Sequence, residues 1–459
     1  MITRRQALLA AGMAAPLSNL IAAGPDPAFD AFLEKLFREW VAQEPEMATS
    51  MRIFDRATQE KLDSKLSDIS DDAAHRRISR AKDALAALAR FRRDQLSPAQ
   101  QFSADMLEYQ LRNIIDEEPH LRFHFPAGTK VDQAMIMMSD RAKQNICLPG
   151  FLSFETVNQM KRFTTPQPDA NILSTAFAQK LQKIEGIDPA LKTTMAADAV
   201  KIVADGVDPA YRRAIDSLAT INANATNDAG LWRFPGGDAA YAFALRRFTT
   251  TSMTAGQIHR KGLDEVTRIE GEMEGLFRKL GYREGTSEER FRKLQDDNGY
   301  PDSPNVRDQI LADYAKFIVD NNKRSSEAFD IRPKSQCIVQ RIPEFQEANA
   351  AANYSGPPAD GSRPGIFRVP LRGPKFPKVG MRTLAAHEAI PGHHFQIALQ
   401  VEMTSLPSFR RQSPFGGMSA FAEGWGLYAE RLAADLGWYK DDPTSDLGRL
   451  NAELFRALA

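Results

Sequence analysis

The stretch that most constrains the fold is residues 387–394, which contain three of the seven histidines of the chain. A helix is expected to start near Met381 and to run through His387. Pro391 interrupts this helix, because its ring clashes with the carbonyl of residue 387 and it has no N–H to donate. Gly392 follows, and it tolerates backbone angles that other residues avoid. The sequence therefore predicts a bulge or break at this point, with histidines on both sides of it.

The same stretch contains the beginning of a zinc-hydrolase motif. His387 is followed directly by Glu388; in such motifs the histidine binds the metal and the glutamate polarises the metal-bound water. The second histidine normally comes four residues later, where this chain has Pro391. We predict that Glu388 acts as general base at a site with altered spacing. The alternative is a turn between two helices, in which the histidines only cap helix ends or form hydrogen bonds.

Geometry limits how a second histidine can join His387. Six or seven residues of straight helix rise about 9 or 10.5 Å, whereas a Zn–N bond is about 2.0–2.1 Å long. Neither His393 nor His394 can reach the same metal across a straight helix, but a break that folds the chain back permits either. The spacing does not decide between them. We favour His393, as a two-residue expansion of the usual spacing, with the other histidine donating a hydrogen bond beside the ligands.

A third ligand is expected in the segment 419–432. Glu423 and Glu430 are seven residues apart, so they lie on one face of a helix. The apolar neighbours of Glu423 predict that it is buried, and a buried carboxylate needs a partner such as a divalent cation. The alternative is a buried glutamate paired with arginine or histidine. Glu430 is interpreted as a residue that supports a ligand, or as a solvated side chain.

The remainder of the chain predicts a mainly helical fold. A capping box that begins at Ser97, for example, marks the start of a helix. Strand patterns are confined to residues 336–342 and 365–371, which are short and rich in β-branched or aromatic side chains. We therefore expect one large helical domain over residues 24–459. One small β-sheet is expected beside the metal-binding helix, with the metal site in residues 336–459.

Composition excludes several classes of function. Basic and acidic residues number 59 each, so no charge excess favours nucleic acid as a partner. No run of about 18 apolar residues predicts a membrane span. Cys147 and Cys337 are too few for a disulfide scaffold or a cysteine-based zinc finger. A disulfide between them and two free, buried thiols are both open possibilities, and the sequence does not determine the oligomeric state.

Residues 1–23 have the organisation of a signal peptide. A charged start that includes Arg4 and Arg5 precedes an alanine-rich apolar stretch, and the small residues Ala22 and Ala23 follow. Paired arginines before an apolar run are typical of a twin-arginine signal. The alternative is an amphipathic N-terminal helix. The sequence therefore predicts a periplasmic or secreted protein.

Four segments resemble a bacterial family called domain of unknown function 885 (DUF885). They read AAHEAIPGHHFQ (385–396), FAEGWGLYAERLA (421–433), DGSRPGIF (360–367) and LRRFTTTSMTAGQIHRKGLDEV (245–266). Members of this family are secreted or lipoprotein-like and are regarded as relatives of zincin-like metallopeptidases. The resemblance implies a zincin-like architecture with Zn²⁺ as cofactor. It also implies a set of site residues: the metal ligands His387, either His393 or His394, and Glu423, with Glu388 as general base.

The chain departs from the family pattern at two places. After Gly-Ile-Phe, family members continue with an aromatic residue and an asparagine, whereas this chain has Arg368, Val369 and Pro370. In zincins such a strand binds the substrate backbone through main-chain hydrogen bonds, and a proline removes one donor. The chain also stops at Ala459 within a helical pattern, whereas family members continue. We expect that the family C-terminus is missing, together with part of the active-site wall.

Two residues before the second predicted strand are candidates for substrate binding. Tyr354 and Arg363 could bind a substrate carboxylate or stabilise an oxyanion; the alternative for Arg363 is a surface loop. The functional prediction is an exported zinc hydrolase, a peptidase that acts on short peptides. One alternative is a non-catalytic metal- or peptide-binding relative. Another is an iron oxygenase with two histidines and one carboxylate, against which the adjacent glutamate argues.

Overall fold

The computed structural model describes residues 24–125, 130–223 and 225–458. The predicted signal peptide, residues 1–23, lies outside them. The fold is mainly helical with one small β-sheet, as the sequence predicts. The helices are α1 (Pro27–Ala42), α2 (Pro45–Met51), α3 (Arg56–Asp63), α4 (Asp71–Leu88), α5 (Pro98–Asp116), α6 (Val131–Lys143), α7 (Gly150–Thr164), α8 (Ile172–Gln182), α9 (Pro189–Ile202), α10 (Asp208–Ile221), α11 (Gly237–Thr249), α12 (Ala255–Leu280), α13 (Ser287–Asp297), α14 (Val306–Arg324), α15 (Glu344–Glu347), α16 (Met381–Glu388), α17 (His393–Glu402), α18 (Ser408–Gln412), α19 (Ser419–Asp435) and α20 (Pro443–Leu458).

The sheet consists of β1 (Cys337–Arg341), β2 (Asn353–Ser355) and β3 (Gly365–Val369), in the order β1–β3–β2. β3 pairs with β1 in parallel and with β2 in antiparallel fashion. The sequence predicts β1 and β3 but not β2, because three residues are too few to display an alternating pattern. β3 is paired on both sides, so its main chain is not free to bind a substrate strand. This corrects the expectation that the strand after Arg363 binds a substrate backbone.

Separate apolar cores lie around α1 and under the sheet. Phe29, Phe37 and Trp40 of α1 are buried in a core that also takes residues from α4 and α5. The predicted capping box at Ser97 is present at the start of α5. A second core lies under the sheet and includes Phe367 of β3 together with residues of α14 and α16. Long helices α12 and α20 pack along each other, which holds α20 beside α16.

Both cysteines are free thiols, so of the two possibilities left open by the sequence the disulfide is not formed. Cys147 and Cys337 are half-buried, and burial raises the pKa of the Cys337 thiol to about 12. A search of the described helices for a segment long and apolar enough to cross a membrane finds none. That result is consistent with the absence of such a segment in the sequence analysis.

Candidate metal centre

The helix break predicted at Pro391 and Gly392 is present. α16 ends at Glu388 and α17 begins at His393, so the chain folds back between the two helices. A Cβ atom on Gly392 would lie 1.8 Å from the carbonyl oxygen of His387. The close approach of the two backbone segments therefore requires glycine at this position.

The break places His393 beside His387, and α19 contributes Glu423. The two imidazole rings have centroids 4.7 Å apart and are nearly perpendicular. Oε2 of Glu423 lies 3.4 Å from Nε2 of His387 and 3.7 Å from Nε2 of His393. One ligand atom from each residue lies within 4.8 Å of the others, so the three side chains could hold a metal ion. Three protein ligands leave coordination positions open, which is typical of catalytic rather than structural zinc sites.

The ring of His387 is held through Nδ1. Nδ1 donates a hydrogen bond of 2.7 Å to Oε1 of Glu430, which leaves the lone pair of Nε2 facing Glu423. Arg456 on α20 places Nη2 at 2.8 Å from the same oxygen of Glu430. Between the two glutamates on α19 is Gly426, where a Cβ atom would lie 2.5 Å from Cε1 of His387. The imidazole therefore lies directly against the backbone of α19.

The two carboxylates of α19 differ from the prediction in their burial. The side chain of Glu423 is 59% exposed, whereas that of Glu430 is 4% exposed. The prediction that Glu423 is buried is wrong, because its apolar neighbours Phe421 and Leu427 are themselves exposed on this helix. A buried glutamate paired with arginine and histidine was the alternative for Glu423. Glu430 has this arrangement instead, because it pairs with Arg456 and His387.

His394 has partners for both of its ring nitrogens outside the cluster. Nε2 donates to the carbonyl of Ser335 at 3.0 Å, and Nδ1 accepts from the hydroxyl of Tyr354 at 2.8 Å. Burial lowers the pKa of His394 to about 4, so the ring is neutral, as this pair of hydrogen bonds requires. Tyr354 is therefore directed at His394. Arg363 is half-buried, and its hydrogen bond goes to the neighbouring carbonyl of Pro364 at 3.4 Å.

Burial shifts the pKa of Glu388 and His393, whereas Glu430 outweighs burial at His387. Glu388 is 6% exposed and its Oε2 has no hydrogen-bond partner among the described residues. Burial raises the pKa of Glu388 to about 7, although His387 acts in the opposite direction. Burial lowers the pKa of His393 to about 4, so its ring is neutral and able to bind a metal. For His387 burial also acts to lower the pKa, but the hydrogen bond and charge of Glu430 raise it above its ordinary value.

Sequence reasoning misses Arg456 and Gly426. Arg456 lies 69 residues beyond His387, on a helix that packs against α12, α16 and α19. No local sequence pattern marks it. Gly426 lies in a helical stretch where glycine is unfavourable by about 1 kcal/mol, and this cost is a signal for close packing. The seven-residue spacing of Glu423 and Glu430 is a second signal, because both carboxylates contact the same imidazole.

Fold and site together define a mainly helical protein with a candidate metal centre of two histidines and one glutamate. The chain belongs to the family described as bacterial protein of unknown function, DUF885, whose model matches residues 127–459. This confirms the predicted resemblance, while the expected absence of the family C-terminus stays a prediction.

Two solved structures resemble the chain. One, described as a putative lipoprotein from Colwellia psychrerythraea, is 25% identical, with a TM-score of 0.79 over 94% of this chain and 81% of that one. The other, a putative lipoprotein of unknown function from Shewanella oneidensis, is 16% identical, with a TM-score of 0.58 over 93% of this chain and 81% of that one, and shows the fold alone. A search among curated proteins finds no significant match.

Proposed function

We propose that this protein is an exported, zinc-dependent hydrolase that cleaves short peptides and has a zincin-like arrangement of catalytic groups. The observation that carries the proposal is the cluster of His387, His393 and Glu423, with Glu388 directly following the first ligand. Two imidazoles and a carboxylate suit zinc, and three protein ligands leave room for water and substrate. The exposure of Glu423 opens the cluster to solvent.

Each residue around the cluster has a separate role in this proposal. Zinc, when bound, polarises the scissile carbonyl and acidifies a water molecule. Glu388 accepts the proton of the attacking water and returns it to the leaving amine. Glu430 and Arg456 keep Nε2 of His387 directed at the ligand position. Trp425 donates a hydrogen bond of 2.8 Å to the carbonyl of Pro391, which holds the helix break against α19.

Export is supported by residues 1–23 and by the description of both structural neighbours as putative lipoproteins. A twin-arginine signal requires its paired arginines, so replacing Arg4 and Arg5 together with lysine is expected to retain the protein in the cytoplasm. Cell fractionation followed by immunoblotting measures this. Unchanged periplasmic accumulation of the double variant would argue against the twin-arginine route.

Metal analysis of the purified protein tests the site. Mass spectrometry is expected to find about one zinc ion per chain, which is lost in His387→Ala because one of three ligands is removed. His259→Ala is the matched control, since His259 is exposed on α12 and distant in sequence from the cluster. Iron in place of zinc would favour the oxygenase alternative. Absence of metal from the unaltered protein would overturn the proposal.

Peptide hydrolysis tests the reaction. The zinc-loaded protein is expected to cleave short peptides, and Glu388→Gln is expected to lower kcat by about 10²–10⁴-fold because the proton acceptor is lost. Zinc content should stay at the unaltered level in this variant, because Glu388 is not a ligand in the proposal. Bound zinc without hydrolysis, unchanged by Glu388→Gln, would instead support a non-catalytic metal- or peptide-binding protein.

A further inference from the structure

A large cavity is lined by residues that neighbour Glu423 and His393 in the sequence. Its volume is about 1210 Å³, and its wall includes Ala422 and Trp425 of α19, on either side of Glu423. Residues that follow His393 on α17 also line it, among them Phe395. Pockets for drug-sized ligands usually have volumes of about 300–1,000 Å³, so a single amino acid would leave most of this space empty.

The cavity wall exposes apolar side chains that a ligand could cover. Phe102 of α5 is 58% exposed and Phe421 of α19 is 59% exposed, and Ile331 and Met403 are also solvent-exposed. All four line the cavity. Apolar side chains that face one large cavity are typical of a binding surface for an apolar ligand.

Three guanidinium groups also line the cavity, those of Arg363, Arg410 and Arg411. Within the described part of the chain, none of them forms an ion pair; their hydrogen bonds go to a carbonyl or to serine hydroxyls. The acidic residue of the wall, Asp105, already pairs with Arg93 at 3.4 Å. The cavity therefore carries unbalanced positive charge, and guanidinium groups bind carboxylates through paired hydrogen bonds.

Three amide side chains in the same wall, those of Gln110, Gln396 and Gln412, each have one buried atom without a hydrogen-bond partner among the described residues. Oε1 of Gln396 and Nε2 of Gln412 are buried and form no hydrogen bond with the described residues. One is an acceptor and the other a donor, so a ligand with both N–H and C=O groups satisfies both. A peptide backbone provides these groups, whereas a fatty acid does not.

We propose that this cavity binds the part of a peptide substrate that lies C-terminal to the cleaved bond. It would take two or more apolar residues, with the terminal carboxylate on Arg363, Arg410 or Arg411 and the peptide amides on Gln396 and Gln412. The inference rests on the proposed hydrolase function and names its substrate class: peptides with an apolar C-terminal end, from which a di- or tripeptide is released. The unpaired guanidinium groups make the free carboxylate a requirement for tight binding.

Calorimetric titration of the zinc-loaded Glu388→Gln protein tests this proposal without requiring turnover. The probes are acetyl-Phe-Leu-Phe with a free carboxylate, the same peptide with a C-terminal amide, and dodecanoate. The free acid is expected to bind at least tenfold more tightly than the amide and more tightly than dodecanoate. Equal affinity for acid and amide would overturn the proposal, and dodecanoate binding as tightly as the peptide acid would assign the cavity to fatty acids.

Arginine variants locate the carboxylate. At least one of the variants Arg363→Gln, Arg410→Gln and Arg411→Gln is expected to reduce the preference for the acid over the amide to less than threefold, with the affinity for the amide unchanged. Arg431→Gln is the matched control, because Arg431 lies on α19 but pairs with Asp435 away from the cavity. A preference retained in Arg363→Gln, Arg410→Gln and Arg411→Gln alike would also contradict the proposal.

The same experiments separate this inference from the proposed function. Absence of peptide hydrolysis together with a tenfold preference for the acid would refute the hydrolase and leave the peptide site in place. Hydrolysis of peptides together with equal affinity for acid and amide would support the hydrolase and refute the peptide site. The comparison of acid with amide uses an unaltered cavity, so it does not depend on whether an arginine variant folds.

Discussion

The helices at the start of the described chain and those around the candidate metal centre both contain buried side chains, but these side chains are stabilised differently. In α1, Phe29, Phe37 and Trp40 are at most 2% exposed and meet other apolar side chains. Around the metal centre the buried side chains include His387 at 5% and Glu430 at 3% exposure. Apolar burial does not depend on direction, whereas each buried charge requires a partner at a defined position.

This difference determines what a substitution does in each region. Loss of an apolar group near α1 reduces burial and lowers the free energy of unfolding. Loss of a polar group near the metal centre leaves another polar atom without a partner, or a ligand without orientation. We therefore expect damage in the first region to appear in stability, and damage in the second region to appear in metal affinity.

The largest expected effect is that of Phe37→Ala. Removing a fully buried phenylalanine is expected to lower the free energy of unfolding by about 3–5 kcal/mol, measured by urea denaturation followed by circular dichroism. Phe248→Ala is the control, because Phe248 is 56% exposed, and its expected change is within about 0.5 kcal/mol. Zinc per folded chain should stay the same in both variants. Loss of zinc from folded Phe37→Ala would contradict the separation of the two regions.

Glu430→Gln is expected to weaken zinc binding by about 10–100-fold, because the partner that orients His387 loses its charge. Competition with a chromophoric chelator measures the affinity. Asp435→Asn on the same helix is the control, since Asp435 is exposed and pairs with Arg431. If Glu430→Gln bound zinc as tightly as the unaltered protein, the charge of Glu430 would contribute nothing to metal binding. The expectation that damage in the second region appears in metal affinity would then be wrong.

The smallest expected effects on stability are those of replacing two glycines of α19 with alanine. The two replacements are expected to have opposite signs. A Cβ atom on Gly426 would overlap the ring of His387, so Gly426→Ala is expected to cost about 1–3 kcal/mol of stability and to weaken zinc binding. A Cβ atom on Gly424 meets nothing within 4 Å. Gly424→Ala is therefore expected to gain about 0.5–1 kcal/mol from helix propensity. Equal effects in thermal denaturation would show that the imidazole does not pack against α19.

The regular parts of the fold follow from local sequence. The capping box at Ser97, strands β1 and β3, and the break at Pro391 and Gly392 are all determined by neighbouring residues, and all are present. β2 is absent from the prediction because a strand of three residues depends on its partner β3 rather than on its own pattern. Its tyrosine, Tyr354, contacts His394 as a result of that pairing.

The candidate site is less accessible to sequence reasoning, because its geometry depends on contacts between distant residues. The choice between His393 and His394 rests on Ser335 and Tyr354, which are 59 and 40 residues from His394 and occupy both nitrogens of its ring. Burial of Glu423 is mispredicted because apolar composition does not reveal that this face of α19 is exposed. Arg456 carries no local signal at all.

The direct packing of His387 on α19 restricts how this protein can change in length. An α-helix turns by about 100° per residue, so one residue inserted between Glu423 and Glu430 would move one carboxylate off the face that carries the other. A homologous chain that keeps the site must therefore keep the interval E-x2-G-x3-E without insertion or deletion. Together with H-E-x4-H around the helix break, this interval is a sequence pattern for finding chains in which two glutamates of one helix contact the same histidine, as Glu423 and Glu430 contact His387.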